Sequence, residues 1–221
     1  MEGTITSSRT SWRNVMPRNQ RKDQLLREER RQQILEAAAR IFARRGMLTK
    51  ISDIAAGAKL SQGHVYNYFK SKDEILLAVI EQGQLGYGVV LRETISMPGS
   101  AEDKFRCLAE RSLPSGGSPD MYLVLLQALF TDLLPAQDKA VILERADGNL
   151  QLLVELIREG QEDGSVMPGD PVQLATLLGT LIQNLMLLDM RGYAPATKET
   201  IELLLKMIRP APDAAAENLE K

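Results

Sequence analysis

The chain has 221 residues and is 44% hydrophobic, which is enough for a packed core and excludes an intrinsically disordered protein. Its length allows one ordinary domain with a smaller one, or a single extended helical body. One cysteine, Cys107, excludes an internal disulfide, and with one histidine, His64, the usual zinc ligand sets cannot be assembled within one chain. We therefore expect no metal, no cofactor and a reducing, cytoplasmic environment.

Charge is distributed unevenly along the chain. Residues 1–80 contain 15 Lys and Arg against 8 Asp and Glu, a net of +7, whereas residues 81–221 contain 12 against 21, a net of −9. A basic first third joined to an acidic remainder predicts that only the first part meets a polyanion such as DNA, although ordinary solvated charge is the alternative interpretation. No membrane partner is expected, because the most apolar segment, 172–190, is interrupted by Gln, Asn and Asp.

The N-terminal segment is predicted to be an arm followed by a helix. Residues 1–26 are polar and basic without a periodic apolar pattern, so we expect a mobile arm. From residue 27 to residue 45, apolar side chains recur at spacings of three and four, which predicts a helix with one face in the core. Gly46 is expected to end this first helix.

Three further helix starts are marked by capping residues. Thr49 is the expected N-cap of a second helix that runs through Ala58, and Ser61 is the expected N-cap of a third. Ser71 followed by Glu74 is a capping-box signature for a fourth helix over 72–95. Three glycines within six residues predict a bend in that helix: Gly83, Gly86 and Gly88.

The remainder of the chain is predicted to be helical throughout. Apolar periodicity and Pro-Gly breakers place helices near 101–113, 119–133, 137–163, 171–191 and 196–209. No segment alternates with period two for long enough to form a strand. The predicted fold class is therefore all-α, with about nine helices, and residues 210–221 are expected to fray.

Residues 61–69 have the division of side chains that a DNA-reading helix needs. Val65 and Phe69, four apart, are predicted to hold the inner face against the core. Gly63 permits close approach of the backbone to DNA. The polar side chains left for the groove are Gln62, His64, Tyr66, Asn67 and Tyr68. Two short helices joined by a tight turn predict a helix-turn-helix, whose second helix enters the major groove.

This segment resembles the DNA-binding motif of the TetR family of bacterial transcriptional regulators. The family pattern is a Thr, then Ile-Ala, then Ala-Gly-Val-Ser-x-Gly-x-x-Tyr-x-Tyr/His-Phe-x-Ser-Lys. This chain has Thr49, Ile54-Ala55, Ala58-Lys59-Leu60-Ser61, Gly63, Tyr66, Tyr68-Phe69 and Ser71-Lys72. The resemblance covers about residues 30–80. It implies a three-helix DNA-binding domain over 27–71 and a helical ligand-binding and dimerisation domain over 72–209.

The resemblance also implies roles for residues at matching positions. Tyr66 and Lys72 resemble the phosphate clamps of the family, and Gln62, His64 and Asn67 stand where bases are read. The full set expected at double-stranded DNA is Thr49, Lys50, Lys59, Ser61, Gln62, Gly63, His64, Tyr66, Asn67, Tyr68 and Lys72.

Lys59 departs from the family pattern, which usually has glycine at this turn position. A glycine there serves a left-handed backbone conformation, which lysine adopts less easily. We expect either a slightly altered turn or a strain of about 1 kcal/mol, with Lys59 gaining a phosphate contact.

The resemblance implies a homodimer formed chiefly by the last two helices. The sequence agrees, because residues 171–191 are apolar almost all round and such a helix must be covered on two sides. The predicted interface is a small-residue strip with a stripe of the final helix: Ala175, Thr176, Gly179, Thr180, Ile201, Leu204, Leu205 and Ile208. A two-fold dimer would present two copies of the DNA-binding domain over 27–71, here called the reading heads, to a palindromic operator.

The ligand pocket of the family lies in the same body, below the fourth helix. Candidates are Met121, Tyr122, Leu125, Leu126, Phe130, Gln183 and Met186, although plain core packing is the alternative for each. Residues 112–138 and 159–190 contain no Lys or Arg, so the expected ligand is apolar and either neutral or cationic. The candidate counter-charges are Asp120, Asp132 and Asp189.

The expected function is a repressor that a small-molecule ligand releases from DNA by shifting the spacing of the two reading heads. A regulator that responds only to DNA or to a protein partner is one alternative, and a helical dimer without sequence preference is another. An enzyme is disfavoured, because the body contains no histidine and no marked carboxylate pair, so no catalytic residue is expected.

Overall fold

The structure is a computed structural model that describes residues 18–113, 118–131 and 134–211. These ranges contain nine α-helices, two short 3₁₀ turns and no strand, which confirms the predicted all-α fold. In chain order the helices are α1 (Arg18–Arg45), α2 (Ile51–Gly57), α3 (Gln62–Tyr66), α4 (Lys72–Ser96), α5 (Ala101–Ser112), α6 (Pro119–Leu129), α7 (Ala136–Glu162), α8 (Pro171–Met186) and α9 (Lys198–Ile208). The 3₁₀ turns are Gly46–Leu48 and Asp189–Arg191.

The first helix is longer than the sequence indicated. It begins at Arg18, so the expectation of a mobile arm is wrong for residues 18–26, and the rest of that arm, 1–17, lies outside the described residues. The extension contains two Arg, two Gln, two Leu and one Lys among its nine residues, and these are strong helix formers. The side chains of residues 20–26 are exposed, so this part of the helix lacks the apolar periodicity by which a core-facing helix is identified.

Thr49 does not cap α2, and that prediction is wrong. The Thr49 side chain is only 1% exposed, and its Oγ1 donates to the carbonyl oxygen of Gly46 at 2.7 Å. Lys50 is the N-cap residue instead, and its backbone N–H donates to the carboxylate of Asp53 at 3.0 Å. The 3₁₀ turn before α2 causes the difference, because it directs the threonine hydroxyl back toward the preceding helix.

The two predicted serine caps are present. Ser61 Oγ accepts the backbone N–H of His64 at 3.2 Å, and Ser71 Oγ accepts that of Glu74 at 3.1 Å. The second half of the expected capping box is displaced by one residue, because the Glu74 carboxylate accepts the N–H of Lys70 at 2.6 Å. Both caps satisfy N–H groups that the first helical turn leaves without partners.

The core consists of two clusters of buried apolar side chains. The first joins α1, α2, α3, the start of α4, and α6, and includes Phe42 and Phe69. The second joins the end of α4 with α5, α7, α8 and α9, and includes Phe105. Because α6 packs directly on α1, side-chain packing continues across residue 71, where the sequence suggested a domain boundary.

Helix α4 is central and packs against α1, α5, α6 and α7. Within the described ranges, α4 is the one helix whose length and composition would allow it to cross a membrane. Its apolar face, however, packs against these four helices. The α-helix continues through its three glycines. A Cβ on Gly83 would lie 3.0 Å from Cβ of Met121, and one on Gly88 would lie 2.6 Å from Oδ1 of Asn149. These two glycines therefore admit neighbouring helices.

The C-terminal helices occur where the sequence placed them, with two shorter than expected. Helix α6 ends at Leu129 rather than at residue 133, and α8 ends at Met186 rather than at residue 191. Pro210 and Ala211 follow α9 without helical structure, and the remainder of the predicted frayed tail lies outside the described residues.

Candidate DNA-binding surface and ligand cavity

The candidate reading surface is formed by α3 and the turns on either side of it. Val65 and Phe69 are fully buried and fix the inner face, as predicted, although Phe69 lies beyond the last helical turn. Tyr66 is 53% exposed. The predicted DNA-contacting residues that are exposed are Lys50, Lys59, Ser61, Gln62, Gly63, Tyr66 and Asn67. The fold therefore brings most of the candidate set onto one exposed segment.

Two candidates have inward-facing side chains. Thr49 is buried, so the prediction of a DNA contact by its side chain is wrong. The ring of His64 lies 5.6 Å from the ring of half-buried Tyr68, with 43° between the planes, and His64 Nε2 is enclosed without a hydrogen-bond partner. In this conformation Nε2 is not offered to a base, and the histidine packs α3 against its neighbours.

Lys59 has the left-handed backbone that the family pattern reserves for glycine. Its φ is 56°, and it is the one non-glycine residue with positive φ within the described ranges. The N–H of Leu60 donates to the carbonyl oxygen of Ala55 at 2.8 Å, and the N–H of Lys59 donates to that of Ala56 at 3.1 Å. This pair of bonds is a Schellman motif, in which glycine is preferred at the left-handed position. Of the two expectations, the structure favours strain over an altered turn.

Basic residues of α1 border the reading surface. A shallow cleft of about 420 Å³ lies between the two elements. Its lining residues are Asp23, Leu26, Arg27 and Arg30 from α1 with His64, Asn67 and Tyr68. The guanidinium of Arg31 also lies 5.4 Å from the ring centroid of Phe69. These arginines were not among the predicted DNA contacts because they lie outside the helix-turn-helix; the signal in the sequence was three arginines within five residues, Arg27, Arg30 and Arg31.

A cavity of about 610 Å³ lies in the helical body, bounded by α1, α4, α5, α6, α7 and α8. Five of the predicted ligand residues line it: Met121, Tyr122, Leu125, Gln183 and Met186. Leu126 and Phe130 do not line it, and Phe130 is 85% exposed, so the prediction is wrong for these two. Leu126 is rotated about 100° around α6 from Leu125, and Phe130 follows the end of the helix.

Many polar lining residues were missed, because the sequence does not show which side of α1, α4 or α7 faces the cavity. They are Gln32, Glu36, Gln82, Gln84, Tyr87, Arg111, Ser112 and Asn149. The small-residue strip of α8 also lines the cavity, with Ala175, Thr176, Gly179 and Thr180. Small side chains on α8 therefore leave space within the protomer.

The charges at the cavity differ from those expected. Asp120 and Asp189 do not line it, and Asp132 lies outside the described residues. The charged lining residues are Glu36 and Arg111, and Nη2 of Arg111 lies 2.6 Å from the carboxylate of Glu93. No group of three or more His, Cys, Asp or Glu side chains in the described ranges is arranged to hold a metal ion.

Two tyrosines add hydroxyl groups to the cavity wall. Burial, together with the nearby Tyr122, raises the pKa of Tyr87 to about 12, so its hydroxyl keeps its proton at neutral pH. Burial also raises the pKa of Tyr122, whose hydroxyl donates to Oε1 of Gln183 at 3.0 Å. Both groups are therefore hydrogen-bond donors under physiological conditions.

The predicted dimer residues are largely buried within one protomer. Ile201, Leu204, Leu205 and Ile208 belong to the second core cluster, and Ala175 and Gly179 are also buried. The prediction that these side chains form the interface is wrong, because α9 turns this stripe toward α5. Thr176 and Thr180 are exposed but line the cavity. The exposed apolar side chains of α8 and α9 are Val172, Leu177, Leu203 and Met207.

Known proteins resemble this chain both in the helix-turn-helix and in the helical body. The family model described as "Bacterial regulatory proteins, tetR family" matches residues 34–79, which include the helix-turn-helix. The fatty acid metabolism regulator protein of Bacillus subtilis (strain 168) is 27% identical over 153 residues, which are 67% of this chain and 78% of that protein. The transcriptional repressor KstR2 of Mycobacterium tuberculosis is 26% identical over 168 residues, 75% of this chain and 82% of that protein.

Solved structures share most of the architecture. A putative transcriptional regulator from Saccharomonospora viridis, determined in complex with choline, is 29% identical and superposes with a TM-score of 0.63. The match covers 81% of this chain and 94% of that one. The similarity therefore extends through the helical body that contains the cavity.

Proposed function

This chain belongs to the TetR family and is a DNA-binding transcriptional regulator rather than an enzyme, and on that premise we propose that it is a repressor released by a small ligand. The observation that carries this proposal is the position of the cavity, whose wall includes Gln32 and Glu36 of α1, the first helix of the DNA-binding head. A ligand there contacts the head directly. Since bacterial operators lie in the cytoplasm, the protein is expected to act there.

DNA recognition is assigned to the exposed face of α3. Gln62 and Asn67 are free to pair with base edges in the major groove, and amide side chains suit adenine. Tyr66 and Lys72 would contact phosphates and hold the register. Arg27 and Arg30 of α1 border the same surface and add positive charge where the DNA backbone would pass.

A homodimer is proposed to present two such surfaces to a palindromic operator. The exposed apolar side chains of α8 and α9 supply the contact, with Leu177 at 68% and Leu203 at 61% exposure. Exposed apolar side chains on two consecutive C-terminal helices are better covered by a second copy than left in water. A closed two-fold pair would fix the separation of the two heads.

The ligand is proposed to be apolar and either neutral or cationic. The cavity volume, about 610 Å³, is in the range usual for small-molecule sites. Arg111, the cation in its described wall, is already paired with Glu93, so an anion would have to compete for it. The choline bound to the Saccharomonospora viridis relative is a cation, which supports the same choice.

Release would follow from a shift between two arrangements of the head relative to the body. The hydrogen bonds between them include one from Nε2 of Gln82 to Oε1 of Gln32 at 2.6 Å and one from Nε2 of Gln127 to the carbonyl oxygen of Ala43 at 3.3 Å. A ligand that favours a different α1–α4 spacing biases the dimer away from the geometry that the operator needs.

The proposal is tested by selecting bound sequences from a random duplex pool with purified full-length protein at near-physiological salt. A palindromic motif with two half-sites is the expected result. Weak binding without sequence preference would contradict a regulator of this kind and favour a helical scaffold. The salt concentration must be fixed, because phosphate contacts make every affinity salt-dependent.

A further inference from the structure

The two charged side chains of the described cavity wall are not equivalent. Arg111 is neutralised by Glu93 at 2.6 Å. Glu36, on α1, makes no ion pair within the described ranges, and its carboxylate accepts one hydrogen bond, from Nε2 of Gln32 at 3.1 Å. Glu36 is exposed, which places it at the mouth of the cavity. The uncompensated charge of this site is therefore negative.

A chain of hydrogen bonds that ends on Glu36 fixes the orientation of two amides. A carboxylate only accepts, so Gln32 must donate to it with Nε2. Oε1 of Gln32 then accepts from Nε2 of Gln82 at 2.6 Å. Oε1 of Gln82 is consequently the free end of the chain, and it is enclosed without a partner. The positions of the amide O and N atoms in both glutamines follow from the carboxylate, because it can only accept a hydrogen bond.

Gln84, a second glutamine of α4, also has a side-chain oxygen without a hydrogen-bond partner. Nε2 of Gln84 donates to the carbonyl oxygen of Ile142 at 2.8 Å, which leaves Oε1 as the atom without a partner. Gln84 is only 6% exposed. A buried acceptor without a partner is unfavourable, so both glutamines favour a ligand that donates hydrogen bonds.

We propose that the cavity binds an apolar ammonium ion carrying at least one N–H group, with its head between Glu36 and Oε1 of Gln82. This inference deepens the proposed ligand-released function and rests on it. The aliphatic part of the ligand lies against the apolar wall of α6 and α8, which includes Met121, Leu125 and Ile182. Oε1 of Gln84 accepts a second donor, where the ligand has one.

The position of the ammonium also supplies the regulatory step. The head competes with Gln32 for the Glu36 carboxylate and supplies a donor to Oε1 of Gln82, which is otherwise without a partner. The Glu36–Gln32–Gln82 chain joins α1 of the reading head to α4 of the body, so its rearrangement changes the α1–α4 contact. Ligand binding and head position are thereby coupled through named side chains.

The test measures binding of three probes of equal chain length to the full-length protein by calorimetry: n-octylammonium, 1-octanol and octanoate. We expect n-octylammonium to bind about tenfold or more tightly than the other two, as a charge-assisted hydrogen bond implies. Glu36→Gln should remove this preference. Glu29→Gln is the matched control, because Glu29 is an exposed carboxylate of the same helix that does not line the cavity, and it should keep the preference.

Gln82→Met provides a second variant that keeps the side-chain length but lacks the acceptor, and it should weaken n-octylammonium binding several-fold. Equal or tighter binding of octanoate, an unchanged preference in Glu36→Gln, or no binding of any probe would overturn the inference. Operator binding, followed separately by fluorescence anisotropy, distinguishes the two proposals. Binding of n-octylammonium without operator release would contradict the proposed function alone, and release by octanoate alone would contradict only the ligand class.

Discussion

Nζ of Lys72 donates a hydrogen bond of 2.8 Å to the carbonyl oxygen of Met47, which ties the first residue of α4 to the 3₁₀ turn before the helix-turn-helix. Lys72 is half-buried, and an ammonium group has three N–H donors, so two remain for other partners. The side chain is therefore positioned by the protein before DNA arrives. A preordered cation loses less side-chain entropy on binding a phosphate.

Replacing Lys72 with alanine should weaken binding to operator and random duplexes by the same factor. A phosphate contact is insensitive to sequence, so the dependence of log affinity on log salt should also become shallower by about one unit. Tyr66→Phe should have the same sequence-independent effect. Anisotropy titrations at several salt concentrations measure both quantities. Lys206→Ala, an exposed lysine of α9, is the control. A loss of affinity for one operator, with unchanged affinity for random duplexes, would contradict the phosphate role.

The exposed amides of α3 should carry sequence preference. Gln62→Ala or Asn67→Ala is expected to relax the preference at one base pair per half-site, by about 1–3 kcal/mol. His64→Phe should retain the preference, because the imidazole packs against Tyr68 with Nε2 enclosed. Repeating the selection from a random duplex pool with each variant decides this. An altered motif in His64→Phe would show that the histidine turns outward on DNA.

Lys59→Gly should stabilise the folded protein. The left-handed φ of 56° is strained for lysine, and relief of that strain should exceed the added freedom of an unfolded glycine by up to about 1 kcal/mol. Urea unfolding at fixed pH measures the change. Lys59→Ala removes the same charge but keeps the strain, so it should bring no such gain. Equal stabilisation by both variants would assign the effect to charge.

In the proposed homodimer, Leu177→Glu or Leu203→Glu should shift the equilibrium from dimer to monomer. Each buried leucine contributes about 1.5–3 kcal/mol, and two-fold symmetry counts the loss twice. Sedimentation equilibrium gives the dissociation constant. Leu143→Glu changes an equally exposed leucine on α7 and should leave the dimer intact. Persistence of the dimer in both interface variants would place the contact elsewhere.

The ion pair between α5 and the end of α9 should make the stability of the folded protein depend on pH. Arg209 donates to both carboxylate oxygens of Glu102, at 2.9 and 2.6 Å, and this pairing lowers the pKa of Glu102 below its usual 4.5. The stabilisation is therefore present above about pH 4.5 and is lost as the pH falls through the lower folded-state value. The pair is partly exposed, so we expect less than about 1 kcal/mol.

Thermal unfolding of wild type and Glu102→Gln from pH 7 to pH 3 checks this. The difference in Tm should be present at pH 7 and should disappear at the acid end, because the protonated glutamate then resembles glutamine. A difference that is independent of pH would mean that packing, rather than charge, distinguishes the two proteins.

Residue spacing, capping residues and breakers were sufficient to predict the all-α fold, the positions of most helices and the buried face of the reading helix. These features depend on local rules. Val65 and Phe69 recur at helical spacing, Ser61 and Ser71 supply capping oxygens, and proline and glycine separate the later helices. Strain at Lys59 was one of two outcomes expected from the resemblance to the TetR pattern, which usually has glycine at this turn position.

Which apolar side chains contact one another and which remain exposed depends on how the helices pack in three dimensions. Ile201 and Leu203 are both apolar residues of α9, yet the first is buried against the body and the second faces outward. Glu36 and Gln82 are 46 positions apart in the chain, and no local pattern predicts that both line one cavity. Helix orientation is set by the packing of all the helices together, which residue spacing within one helix does not specify.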